Sequence, residues 1–468
     1  MIRVTRPPNP SYTNAQVAGF YFRPCRDQDD ERDPRVFSLS LRHEATAAQT
    51  GSILNFIRHS SQNLFGWMVW IVQCNLPLSF CESREARRFS NLEPISEERL
   101  RAGMDGVVMA VERSIASELP ASFGIMLDGW THASEHYVAV FACYEINGNL
   151  KTPMLSMARC STRSNDDLSA ESHLDFLATM LPRDFGVQLV QCRFIVGDNC
   201  SVNRRLATLM EVPLVGCASH RLNLAVQDDL AAHEDDLAAV QALMIKLRTL
   251  TESAKLRLKT DLRPVIRQQT RWSSTFAMVK RYFELLEFID VEDDDIMELL
   301  PAPAANKRLR VLYQELRDIE SVSKALQGRD VDLLDVRKWF DELISVKPHY
   351  ARFIGPRANI VHSPDFESGG PAAFAATAPA DARESLEEQQ DSFVERLRKR
   401  RRLYEERVEY EQLKSIPPTF NVVERFFSVA RVTFGHQRHG LLPRTLETLL
   451  FLRENRFYWN ASTVDSLQ

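Results

Sequence analysis

The 468 residues contain no closely paired cysteines: the eight, at positions 25, 74, 81, 143, 160, 192, 200 and 217, are scattered without a CxxC spacing. Neither a disulfide framework nor a zinc finger follows from them, and free thiols predict a reducing intracellular compartment. Long apolar runs are also missing. The most apolar stretch, Leu64 to Val72, falls well short of the about 20 residues that cross a bilayer. The opening residues, Met-Ile-Arg-Val-Thr-Arg-Pro-Pro, lack the apolar centre of a signal peptide. Nor does one charge sign dominate. With 58 Lys and Arg against 63 Asp and Glu the formal charge is −5, so any nucleic-acid surface has to be local. What is present, 44% hydrophobic and 26% charged residues, predicts a soluble protein without a membrane partner, long enough for two or three domains.

Residues 1–50 are polar and weakly patterned, and are expected to be poorly ordered. Residues 51–120 read as a helical N-terminal domain, with Leu64, Trp67, Trp70 and Ile71 on one face. The pattern changes near residue 122. Phe123-Gly-Ile-Met-Leu-Asp128 is a short strand ending in Asp-Gly, and Tyr137 to Ile146 is a strand with a partner at Leu150 to Met157 across Asn147-Gly148-Asn149. A helix over 169–181, a buried-type strand from Cys192 to Asp198, a helix over 202–211, a strand over 212–215 and a helix to Leu230 follow. This order is mixed α/β over 121–231. Residues 232–415 read as an almost wholly helical insertion, with a Gly- and Ala-rich loop at 364–382. Residues 416–468 complete the core.

The chemistry-bearing residues are few. Asp128 and Asp198 each end a short strand, where functional side chains gather in α/β sheets; Asp-Gly and Asp-Asn at such places are equally turn chemistry. In Asn421-Val-Val-Glu-Arg-Phe-Phe-Ser-Val-Ala430 the apolar residues recur at helical spacing around one carboxylate, Glu424. That carboxylate needs either an ion-pair partner or a metal shared with other carboxylates. Between residues 246 and 281 ten basic residues, among them Lys255, Arg257, Lys259, Arg263 and Arg267, face only Glu252 and Asp261, a local +8 suited to phosphates. The basic run Arg396 to Arg402 reads as a nuclear-localisation signal, a phosphate patch or a solvated helix face.

Six blocks then occur in one order: Asp128-Gly-Trp-Thr131; Gly197-Asp198-Asn199 with Asn203; Cys217-Ala-Ser-His220-Arg-Leu-Asn-Leu224; Thr270-Arg-Trp-Ser-Ser274; Glu424-Arg-Phe-Phe-Ser428; and Arg438-His-Gly-Leu441 with Leu446 to Asn455. Together they resemble the hAT superfamily of cut-and-paste DNA transposases, over most of residues 60–460. The resemblance implies a ribonuclease-H-like mixed sheet interrupted by an all-α insertion. It implies an acidic triad of Asp128, Asp198 and Glu424 holding two Mg²⁺ or Mn²⁺ ions for DNA strand cleavage and transfer, in the nucleus. Arg271 and Trp272 match a pair whose Trp stacks on a base flipped from the duplex; the alternative is a core Trp beside a surface Arg. Cys217 and His220 match a block at the active site, and two such ligands do not make a zinc site. The C-terminal helices, with Phe426, Phe427, Leu446, Leu449, Leu450 and Leu452, match a dimerisation region, and these side chains suit a core equally. The N-terminal zinc finger common in the family is not expected: Cys25, His43 and His59 lack its spacing. A catalytically silent derivative that dimerises and binds DNA is the competing expectation.

Overall fold

A computed structural model describes residues 57–132, 135–159, 169–268, 271–290, 292–328, 331–356, 358, 392–397, 415–433 and 442–468, and the backbone of 22–26, 32–39 and 361–362. The fold is mixed α/β. Within the segment expected to be poorly ordered, β1 (Phe22–Arg26) and β2 (Arg32–Leu39) form an antiparallel pair. The remainder of 1–50 lies outside the described residues, as do the loop at 364–382 and residues 398–402 of the basic run.

The main sheet has seven strands. They are β3 (Phe123–His132), β4 (Glu135–Ile146), β5 (Asn149–Lys151), β6 (Met154–Arg159), β7 (Cys192–Gly197), β8 (Leu214–Gly216) and β9 (Val361–His362). The spatial order is β5-β4-β3-β7-β8-β9, with β6 also on β4. β3 runs antiparallel to β4 and parallel to β7, and β7 is parallel to β8. Asn147 and Gly148, at φ 52° and 78°, make the tight turn after β4, where positive-φ residues match the right-handed twist of the flanking strands and an Asn-Gly pair costs least. Pro153 then separates β5 from β6, since a proline cannot donate to the ladder. Asp128 is not the last residue of its strand, as expected, but is followed by four more, because β4 continues opposite it to Glu135.

The helices sort into two apolar clusters. α1 (His59–Cys74), α2 (Glu97–Glu118) and α3 (Ala170–Met180) pack in the same core as the sheet. Residues 57–120 are therefore not a separate helical domain. Trp67 lies in that core with its indole N–H donating to the carbonyl of Glu93 at 2.8 Å. α4 (Ser201–Met210) follows β7. α5 (Ala218–Leu230), α6 (Glu234–Leu247), α7 (Leu250–Arg257), α8 (Trp272–Leu285), α9 (Pro303–Ala325) and α10 (Leu333–Val346) enclose the second cluster. The change of core falls at Cys217/Ala218 rather than at 231/232, since Ala218, Leu222, Ala225, Val226 and Leu230 of α5 all face the helical body. The chain returns at Ile416 to Phe420, buried against the start of α5, where the Ala218 N–H donates to the Pro418 carbonyl at 3.0 Å. α11 (Asn421–Thr433) and α12 (Pro443–Glu454) then pack in the sheet's core.

Candidate active site

Strand register brings the two aspartates together. Met126 of β3 lies opposite Val196 of β7, so Asp128, two residues further along β3, and Asp198, just past the end of β7, lie toward the same end of the two neighbouring strands. The glutamate reaches them from α11. Asp128 and Trp130 share one face of β3, by the two-residue alternation of a strand. The Trp130 ring packs on Phe427, centroids 5.8 Å apart. Glu424 sits three residues before Phe427, on the same face of the helix, and so points at the region of Asp128. The mutual field is visible in Asp128. Burial first, then the negative charges of Asp198 and Glu424, push its carboxyl up to about 7, against a partial easing by the Gly129 N–H.

Each acid has its own support. Asn203, buried at the start of α4, donates from its side-chain amide to Asp198 Oδ1 at 2.7 Å and to the Asp198 carbonyl at 3.2 Å. Gly197 permits this approach, for a Cβ there would stand 3.1 Å from the Asn203 amide nitrogen. Glu424 is held differently. Its Oε2 accepts from the Arg271 guanidinium at 2.9 Å, an ion pair whose side chains are 26% and 64% exposed respectively. The pair joins the helical body to the sheet's core.

Three carboxylates and little else form a donor set of the kind hard divalent cations take. Their repulsion, seen in Asp128, is what a cation would relieve. Among the described residues no three His, Cys, Asp or Glu side chains are already close enough to hold a metal ion. One of the three is instead turned to Arg271. Replacing Arg271 by Gln is therefore expected to leave fold stability within about 1 kcal/mol, since the guanidinium is largely exposed and solvent screens the pair. Freed of its cationic competitor, the triad should bind Mn²⁺ roughly fivefold more tightly by titration calorimetry. Equal or weaker binding by the variant would remove the competition.

The Cys217–Asn223 block is a scaffold rather than a ligand set. Burial pushes the Cys217 thiol up to about 11, partly eased by the backbone of His220 and Phe420, so no thiolate is on offer. His220 is half-buried one turn into α5. Ser219 accepts from the Asn421 amide at 3.3 Å and Asn223 accepts from the Trp272 N–H at 3.2 Å. These two bonds tie the starts of α11 and α8 to one helix, and so place Glu424 and Arg271 face to face. The clamp was written in the sequence block, but its targets, some 50 and 200 residues on, were not.

Trp272 resolves toward the core alternative. It is 4% exposed in the helical cluster, beside Phe276 at 6.3 Å, with no face presented to a base. The +8 stripe is largely neutralised by acids from outside it: Lys246 pairs with Asp295, Lys255 with Asp293 besides Glu252 of the stripe itself, Arg267 with Glu234 and Arg281 with Glu284. Arg257, Lys259 and Arg263 stay exposed. The six side chains expected at a dimer surface, Phe426, Phe427, Leu446, Leu449, Leu450 and Leu452, are all buried in the chain's own core. A helix burying one face against a sheet has none of that face left for a second copy. Among the described residues of this C-terminal region, Val432, Leu442, Phe457 and Leu467 are the exposed large apolar ones. Thr270 and the Arg438–Leu441 block lie outside the described residues.

Comparison of the sequence with protein-family models and with curated proteins finds no match. No described helix is long and apolar enough to cross a membrane.

Proposed function

We propose that this chain is an hAT-type DNA transposase or a derivative of one, which cuts and joins DNA strands through Asp128, Asp198 and Glu424 on a ribonuclease-H-like sheet. The observation that carries the reading is that Asp128, raised first by burial, also feels the negative charges of Asp198 and Glu424, which the fold brings near it from far along the chain. The strand order, with one antiparallel and two parallel neighbours running out from β3, supports the ribonuclease-H-like assignment.

Mg²⁺ or Mn²⁺ held by Asp128, Asp198 and Glu424 would supply activation of the attacking oxygen and stabilisation of the leaving one in phosphodiester chemistry. The protein's part is to hold the acids. Asn203 fixes the rotamer of Asp198, Asp128 exchanges a proton near neutral pH, and Glu424 leaves Arg271 to join them. Arg271, once released, is placed to meet a phosphate oxygen beside the triad. Self-association would use surfaces other than the six buried side chains, and the basic run at 396–402 would direct the protein to the nucleus. Within that run Arg396 reaches Asp318 at 3.5 Å.

The competing reading, a silent derivative acting by DNA binding and dimerisation, draws on the ion pair that ties up Glu424. Nicking of supercoiled plasmid with Mg²⁺ or Mn²⁺ separates the two. Glu424→Gln keeps the shape and removes the charge, and is expected to slow nicking by about a hundredfold or more, ~3 kcal/mol of transition-state stabilisation. Wild type and variant nicking alike, or neither nicking while both are folded, would sink the catalytic reading.

A further inference from the structure

With most of the basic stripe neutralised, one part is left. Arg248, Arg257 and Arg263 line an open groove of about 530 Å³, together with Ser253, Pro264, Val265 and Ile266. Its lining includes no carboxylate, and the acids of the same segment, Glu252 and Asp261, are not among its walls. Glu252 is spent on Lys255.

The three cations come from separate places. Arg248 caps the end of α6, Arg257 ends α7, and Arg263 belongs to the segment leading toward α8. The first two gain from the negative ends of their helices. Arg263 has no such reason. Its guanidinium donates to the carbonyls of Thr260 and Leu262, at 3.4 and 3.2 Å, and its own carbonyl accepts from Arg281. The segment is thus fixed in a form that keeps the third guanidinium at the groove. Gathering three like charges without a counter-charge is unfavourable in the free protein, and an anion removes the cost.

We propose that the groove of Arg248, Arg257 and Arg263 binds the phosphodiester backbone of a DNA duplex engaged at the acidic triad. This rests on the reading of that triad as a phosphodiester site. Planar guanidinium groups fit phosphate oxygens two at a time, and the apolar wall of Pro264, Val265 and Ile266 suits the sugar edge. Reach agrees. Arg263 and Arg271 are eight residues apart, so the groove lies within about 27 Å of Glu424's partner. That is about eight base pairs of duplex at roughly 3.4 Å each. The assignment moves the anion contact away from Lys255 and Arg267, whose charges are already satisfied inside the protein.

The test is binding of the full-length chain to a fluorescent duplex over a series of salt concentrations, with fold checked by circular dichroism. Arg248→Gln/Arg257→Gln/Arg263→Gln is expected to lose roughly 10- to 100-fold in affinity and about three units of salt slope. The set Lys246→Gln/Lys255→Gln/Arg267→Gln is expected to keep the wild-type slope. Equal slopes for the groove variant and wild type, equal losses in both sets, or no duplex binding by wild type would each overturn the groove. A loss confined to the groove variant, in a protein that nicks no plasmid, would support the groove while removing the catalytic reading of the triad.

Discussion

Replacing Asp128 by Asn is expected to stabilise the protein in chelator at pH 8 and to leave it unchanged at pH 4. The wild-type carboxyl has an ordinary value of 3.8 when unfolded and is pushed up to about 7 when folded. Below the lower value both states are protonated and the fold bears no penalty. As pH rises through the interval the unfolded chain releases its proton first, so the folded state loses stability until about pH 7 and no more above it. Three units correspond to a ceiling of about 4 kcal/mol, and for a half-buried group about 2 kcal/mol is expected. Asn carries no proton to lose, so the variant's melting temperature should lack this descent. Added Mn²⁺ should restore the wild type at pH 8 and do little for the variant. Parallel melting curves for the two proteins from pH 4 to pH 8 would show that neither burial nor the field of the other two acids raises the Asp128 carboxyl.

The origin of that field shows how far the sequence could be read. The strands around Asp128 and Asp198 were legible because alternation and β-branched content are local, and the Asn147-Gly148 turn names its own geometry. That Glu424 belongs with the aspartates was legible only through the ordered blocks of the family resemblance. The register of β3 on β7 and the packing of Phe427 on Trp130 now give it a physical cause. The charged surface was not legible. Counting charges along residues 246–281 gives +8, but Glu234, Glu284, Asp293 and Asp295 lie outside that span or its logic and are brought in by folding. Arg271 meets Glu424 across 153 residues for the same reason. Apolar periodicity also says that a face is buried without saying against what. It therefore left Phe426 and Leu446 open to two uses, and placed α5 with the sheet when its apolar face belongs to the helical body.

Trp272→Ala is expected to cost about 3–5 kcal/mol of the helical body's stability, the usual loss when a large aromatic leaves a packed core. The side chain starts α8, and its neighbours there include the helices that carry both the Asn223 clamp and the basic groove. A stacking platform for a flipped base behaves differently. Its ring is exposed in the free protein, so removing it costs little stability and instead weakens DNA binding by about 1–3 kcal/mol per base stacked. Urea denaturation of the free protein distinguishes the two without any DNA. A midpoint shifted by less than an ordinary surface substitution, about 0.5 kcal/mol, would return Trp272 to the DNA. A large shift, with Trp272→Phe recovering much of it, assigns the ring to packing. The adjacent residues of the Arg-Trp pair then have separate tasks. Trp272 anchors the start of α8 in the helical core, and that anchoring holds the Arg271 backbone where its guanidinium can reach Glu424.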